Sequence, residues 1–209
     1  MKIEELADRV PNNGLFRSGQ ILSGYRRPTH VRRQLDRWVK SGRVLQLRRG
    51  VYLLRRPYVS SAAHPFAVAN TLKKASYVSL QSALAHYGMI PEYVPVATSV
   101  TTGRPEEFNT PIGRFQFRHI LPKRFFGFEE MGIAPDQQVL IASPSKALVD
   151  LLYLTPHSDN PGYLRELRLH EPDGFDRGAL EAVVKKLGSS KVERAIRQIV
   201  QLWEEVWVE

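Results

Sequence analysis

The stretch that most constrains the fold runs from Pro28 to Leu54. Pro28 suits the first turn of a helix, where its missing N–H is not needed, and Ser41-Gly42 is a natural helix stop. At about 100° per residue, Val31, Leu35, Trp38 and Val39 share one stripe, while His30, Arg33, Arg37 and Lys40 fall on the opposite side. Immediately afterwards come two short apolar strands, Val44-Leu45-Gln46-Leu47 and Val51-Tyr52-Leu53-Leu54, joined by Arg48-Arg49-Gly50. Two shorter helices are expected upstream. Ile3, Leu6, Ala7 and Val10 have helical spacing until Pro11-Asn12-Asn13-Gly14 stops them, and Ser18 is placed to cap a helix over 19–22 that ends at Ser23-Gly24. Three helices followed by a tight hairpin make a winged helix-turn-helix, whose last helix enters a DNA major groove while the wing holds flanking phosphates.

Charge supports that reading. Residues 1–57 hold 14 Lys and Arg against 4 Asp and Glu, a net +10, whereas the remainder holds 16 against 17. The polyanion partner therefore belongs to the N-terminal part alone. A solvated helix face normally mixes acidic with basic residues, but here only Asp36 interrupts six basic residues between Arg26 and Lys40. Double-stranded DNA is favoured over RNA because the module lacks an aromatic-rich stacking surface. Arg26, Arg27, Thr29, His30 and Arg33 lie at the start of the third helix and are candidates for reading bases. Arg17, Arg37, Lys40, Arg48 and Arg49 are candidates for phosphate contacts.

The boundary between the winged domain, 1–57, and the rest, 58–209, is expected near residues 58–65. Beyond it, helices are expected over 66–74 and over 80–87, the latter capped by Ser79 and ended by Gly88. Between these helices Tyr77 and Val78 form a brief extended piece, and strands are expected over 94–101, 113–120, 125–128 and 138–142. A further helix over 145–154 opens at Ser143-Pro144. The tail from 155 onward reads as helical over 163–170, 177–187 and 191–207, the last with Val192, Ala195, Ile196, Ile199, Leu202 and Trp203 on one stripe. That stripe is explained by core packing, with a partner groove or dimer seam as the alternative. The fold class is α+β: a winged helix-turn-helix, then a mixed α/β domain with antiparallel strands and a helical tail.

The absence of cysteine excludes disulfides and thiolate zinc sites, zinc fingers among them. The six histidines have no metal-ligand spacing, so neither metal nor cofactor is expected. The segment Met1-Lys2-Ile3-Glu4-Glu5 is unlike a signal peptide and no apolar run is long enough to span a bilayer, so a cytoplasmic protein without membrane association is expected. Catalytic constellations are not convincing. A nuclease-like site could begin at Asp136, but the position two before Lys146 is Pro144 instead of an acid. Gly188-Ser189-Ser190 is better read as a break between helices than as a nucleotidyltransferase loop, because no Asp-x-Asp or Asp-x-Glu follows. Ser79, Ser82 and His86 could share a helix face, yet no acid accompanies them and capping and packing are the expected roles.

Three segments resemble a known family. Leu47-Arg48-Arg49-Gly50-Val51-Tyr52, Tyr77-Val78-Ser79-Leu80-Gln81-Ser82-Ala83-Leu84 and Ser143-Pro144-Ser145-Lys146-Ala147-Leu148-Val149-Asp150-Leu151 are similar, in order, to the AbiEi antitoxins of bacterial abortive-infection (phage defence) systems. The likeness covers roughly residues 10–155 and departs from the family at His86-Tyr87-Gly88, where His directly before Gly is expected. It implies a non-enzymatic autorepressor that binds repeats in its own promoter, as a monomer or weak dimer in solution that is cooperative on DNA. It implies as well that the second domain counters a nucleotidyltransferase-like toxin without a stable complex, as in type IV toxin-antitoxin systems. Two other classes stay open: a plain transcriptional regulator whose second domain senses a ligand or dimerises, and a DNA-acting nuclease.

Overall fold

In the computed structural model, which describes residues 1–23, 28–92 and 94–206, the N-terminal part runs α1 (Ile3–Ala7), β1 (Leu15–Arg17), α2 (Ser18–Leu22), α3 (Pro28–Lys40), β2 (Val44–Arg48) and β3 (Val51–Leu54). The strands form an antiparallel sheet in the order β1-β3-β2. Three helices and a hairpin are the elements the sequence implies, and they make a winged helix. β1 was not expected, because three residues are too few to show alternation. Gly14 makes its entry possible. With φ at +74° it accepts from the Leu54 N–H at 2.8 Å, and a Cβ there would lie 2.5 Å from the Leu54 carbonyl oxygen. Ser18 begins α2 instead of capping it; the cap comes from Gln20, whose Oε1 accepts the Arg17 N–H at 2.9 Å.

The small sheet is apolar on both faces. Ile3, Leu6, Phe16, Ile21, Val31, Leu35, Trp38, Val44 and Leu54 form one buried cluster with the helices. Leu15, Leu47 and Val51 point the other way and join the core of the rest of the chain. The period-two pleat explains this split, since Val51 and Leu53 face one side while Tyr52 and Leu54 face the other.

The second part contains α4 (Pro65–Leu72), β4 (Ser76–Val78), α5 (Leu80–His86), β5 (Val96–Thr101), β6 (Glu106–Thr110), β7 (Gly113–His119), β8 (Phe128–Ala134), β9 (Gln137–Ala142) and α6 (Pro144–Leu154). Its tail is α7 (Pro161–Glu166), α8 (Arg177–Leu187) and α9 (Ser190–Val206). The six-stranded sheet has the order β6-β7-β5-β4-β9-β8. Antiparallel neighbours are present as expected, but β5–β7 and β4–β9 are parallel, so the sheet is mixed. After Thr101 the chain turns back as β6, one strand's width away from β5, and β7 returns into the gap. Helices α5 and α6 pack on each other, and α8 and α9 close over α6. Both sheet edges carry exposed acid pairs, Glu106-Glu107 on β6 and Glu129-Glu130 on β8.

The connection between the two parts is held at several points. Asn12 O accepts from the N–H groups of Ser60 and Ser61, both at 3.2 Å, and Asn12 Nδ2 donates to Asp136 at 3.2 Å. The buried Gln137 side chain accepts from His64 N at 2.8 Å and donates to Ala62 O at 2.9 Å. Among the described residues no helix is long and apolar enough to cross a membrane.

Candidate nucleic-acid interface

Helix α3 separates its side chains as the sequence pattern requires. Val31, Leu35 and Trp38 are buried, while Thr29, His30, Arg32, Arg33, Asp36, Arg37 and Lys40 are exposed. One charged face thus stands on a helix that is anchored from behind, which is the arrangement a recognition helix needs. Arg32 was not among the expected residues; it flanks the ridge, and the six-residue basic run that contains it was the available signal. Arg26 and Arg27 lie outside the described residues.

The turn of the wing is one residue shorter than its sequence suggests, since β2 runs through Arg48. Arg48 pairs with Val51 after a bulge at Gln46/Arg48, and Gly50 turns the chain at φ +83°. Ser18 N donates to Gly50 O at 3.0 Å, fastening the tip to the start of α2. Of the two tip arginines, Arg49 is exposed. Arg48 is half-buried, with its guanidinium 5.2 Å from the centre of the Phe108 ring on β6. Arg17 also turns toward the second part, donating to the Thr71 carbonyl on α4. Burial, helped by the nearby Arg48 charge, pulls its pKa below the usual guanidinium value. Thr29, His30, Arg33, Arg37 and Lys40 therefore share the exposed side of α3 and Arg49 is exposed on the wing, whereas Arg17 and Arg48 are engaged at the junction between the two parts.

A second polar constellation escaped sequence reasoning. Lys146 and Asp150, both fully buried, form an ion pair on α6; Tyr77 Oη donates to Asp150 Oδ2 at 2.8 Å and Ser79 Oγ donates to it at 2.9 Å. Burial pushes the carboxyl up and the ammonium down, and their mutual attraction opposes both shifts. The Lys146 ammonium lies 4.8 Å from the centre of the Phe126 ring, and Tyr77 stacks on Phe128 at 4.5 Å. A Lys and an Asp four apart in the otherwise apolar Ala147-Leu148-Val149 segment was the sequence signal for this group.

These contacts also engage the residues weighed on sequence as catalytic alternatives. Ser79 meets Asp150, Ser82 exchanges hydrogen bonds with Thr98, and His86 packs against Phe66 and Tyr87, so the three do not converge. Asp136 is bonded to Asn12, while Lys146 is enclosed with Asp150. Gly188 is the left-handed cap of α8 and Ser190 opens α9, a break between helices as expected.

Comparison with known proteins adds a family for the N-terminal part. Residues 1–55 match the family described as a transcriptional regulator, AbiEi antitoxin. The fold is similar to that in the crystal structure of the RV2827C protein from Mycobacterium tuberculosis, with a TM-score of 0.55 and 14% identity over 94% of this chain and 74% of that one. No curated protein matches the chain.

Proposed function

We propose, from the premise that residues 1–55 are an AbiEi-type transcriptional-regulator module, that the protein is an antitoxin and autorepressor. In this reading α3 enters the major groove of repeats in its own promoter. Thr29, His30 and Arg33 read base edges, with Arg26 and Arg27, and Arg37, Lys40 and Arg49 hold phosphates. Residues 58–209 form the domain that counters a nucleotidyltransferase-like toxin without a stable complex. The observation that carries the first half is the exposed basic face of α3 opposite the buried Val31, Leu35 and Trp38. The second half rests on the family match at residues 1–55 and on the family likeness of segments 77–84 and 143–151.

Two measurements test these halves separately. Titration of the promoter region against a scrambled duplex should show specific binding that weakens steeply with salt; equal affinity for both duplexes overturns the repressor reading. Co-expression with the product of an adjacent nucleotidyltransferase-like gene should rescue growth. Rescue should survive deletion of residues 1–57 and fail without residues 58–209, and failure by every version overturns the antitoxin reading.

A further inference from the structure

Two grooves meet at the junction between the winged part and the six-stranded sheet. One, of about 600 Å³, runs between the back of the small sheet (Leu45, Leu53), the connecting segment and the β6–β7 turn. The other, of about 520 Å³, lies at the start of β7, beside His64 and His86. Both are lined by Pro65 and Ile112, so the two grooves adjoin there and together make a shallow trench. Its floor is apolar, and Ile112 is 37% exposed there, one of the few large apolar side chains left to solvent among the described residues. Arg55 and Arg56 line the first groove, and Arg114 and the acid Glu92 line the second. Among the described residues the side chains of Arg56 and Arg114 make no ion pair or hydrogen bond, whereas Arg55 is directed onto the Gly42 carbonyl at 3.2 Å.

We infer that this trench is a binding site for a small soluble molecule with an apolar or aromatic body and one anionic group, a carboxylate or sulfonate. A pocket of this size at a junction between two parts, apolar with a few convergent polar groups, is what such ligands occupy. The imidazoles fit the same chemistry. His64 Nδ1 accepts from the Phe66 N–H at 3.2 Å, so the ring proton is on Nε2 and available as a donor. The aromatic rings of His64, Phe66 and His86 succeed one another at 4.9 and 5.9 Å, edge to face, which gives a planar ligand surfaces to stack on. The anionic group is drawn to Arg56, and the body covers Ile112. Uptake here is independent of what α3 binds.

The test uses the full chain and 8-anilinonaphthalene-1-sulfonate, followed by its fluorescence and by calorimetry. Saturable binding of one probe per chain is expected, with Ile112→Asp and Arg56→Glu each weakening it roughly tenfold. Both positions are exposed, so the fold tolerates either change, and circular dichroism verifies this. The uncharged analogue N-phenyl-1-naphthylamine should bind more weakly than the sulfonate. Glu181→Lys, in the separate groove between α8 and α9, should leave probe binding unchanged. Binding that is not saturable, that ignores both trench substitutions, or that responds to Glu181→Lys overturns the inference.

Discussion

At the level of single residues, the group around Asp150 concentrates the largest energetic consequences. Its carboxylate satisfies Lys146, Tyr77 and Ser79 at once, with no access to water. Asp150→Ala leaves an ammonium buried and unpaired, and a loss of roughly 3–5 kcal/mol is expected in urea denaturation. The paired change Lys146→Met with Asp150→Leu removes both charges and should recover most of that loss; if it is as damaging as Asp150→Ala alone, the charge explanation is wrong. His64 and His86 give a pH dependence with a definite sign. Burial holds both imidazoles below their ordinary 6.5, for His64 with help from the charge on His86. Above 6.5 the rings are neutral whether the chain is folded or not. As pH falls below 6.5 the unfolded chain takes up protons first, so stability declines from there toward the lower folded values. Protonation of His64 also removes the acceptor for the Phe66 N–H at the start of α4. Melting temperatures taken from pH 7.5 to 5 should fall below 6.5, and the fall should be smaller in His86→Phe; a flat profile contradicts the assignment.

At the level of elements, the proposed function assigns different work to α3 and the wing. Arg33→Ala is expected to cost about 1–3 kcal/mol against the cognate base at one position and to relax specificity there. Arg49→Ala should weaken all duplexes alike and lower the salt slope by roughly one unit. If the two variants affected operator and scrambled DNA equally, α3 would not be the reading element. These elements were legible because their signals are local. The Val31, Leu35, Trp38 stripe, the Ser41-Gly42 stop and the Arg49-Gly50 turn all lie within a few residues of what they specify. Strand β6 was invisible for the opposite reason: Glu106-Glu107-Phe108-Asn109-Thr110 is polar and poor in strand formers, and it is extended through its pairing with β7. Strand β8 was expected over 125–128 but occupies Phe128–Ala134, because the Phe125 and Phe126 N–H groups donate back to the Pro122 and Arg124 carbonyls and Gly127 stands at φ +74°. In the tail, α7 begins at Pro161 and ends at Glu166, short of the expected 170, and Arg168 stands at φ +43°. The parallel pairings of β4 with β9 and β5 with β7 depend on distant residues meeting, which no local pattern encodes. The engagement of Arg17 and Arg48 at the junction was hidden for the same reason, since Thr71 and Phe108 lie far along the chain.

At the level of the molecule, the two parts are mechanically continuous. Leu15, Leu47 and Val51 of the small sheet belong to the larger core, Asn12 and Arg17 bond across the junction, and Gln137 fastens the connecting segment. One cooperative unfolding transition is therefore expected. Trp38 reports on the winged part and Trp203 on the helical tail, where its Nε1 donates to Leu169 O at 2.9 Å. Denaturation curves from a variant retaining only Trp38 and one retaining only Trp203 should coincide; separate midpoints would mean that the junction does not couple the parts. Leu47→Ala should shift both curves together, by about 2–5 kcal/mol if the site cannot collapse. The sheet edges bear on a different matter, behaviour in a crowd. A six-stranded sheet ends in two rows of unpaired backbone groups that another chain could extend. Here the β8 row carries Glu129-Glu130 and the β6 row Glu106-Glu107, of which Glu106 is ion-paired with Lys73, so edge-to-edge approach of two copies along β8 brings like charges together. Many molecules can then stand side by side without seeding a fibril, and neutralising Glu129 and Glu130 should shorten the time to turbidity in concentrated solution.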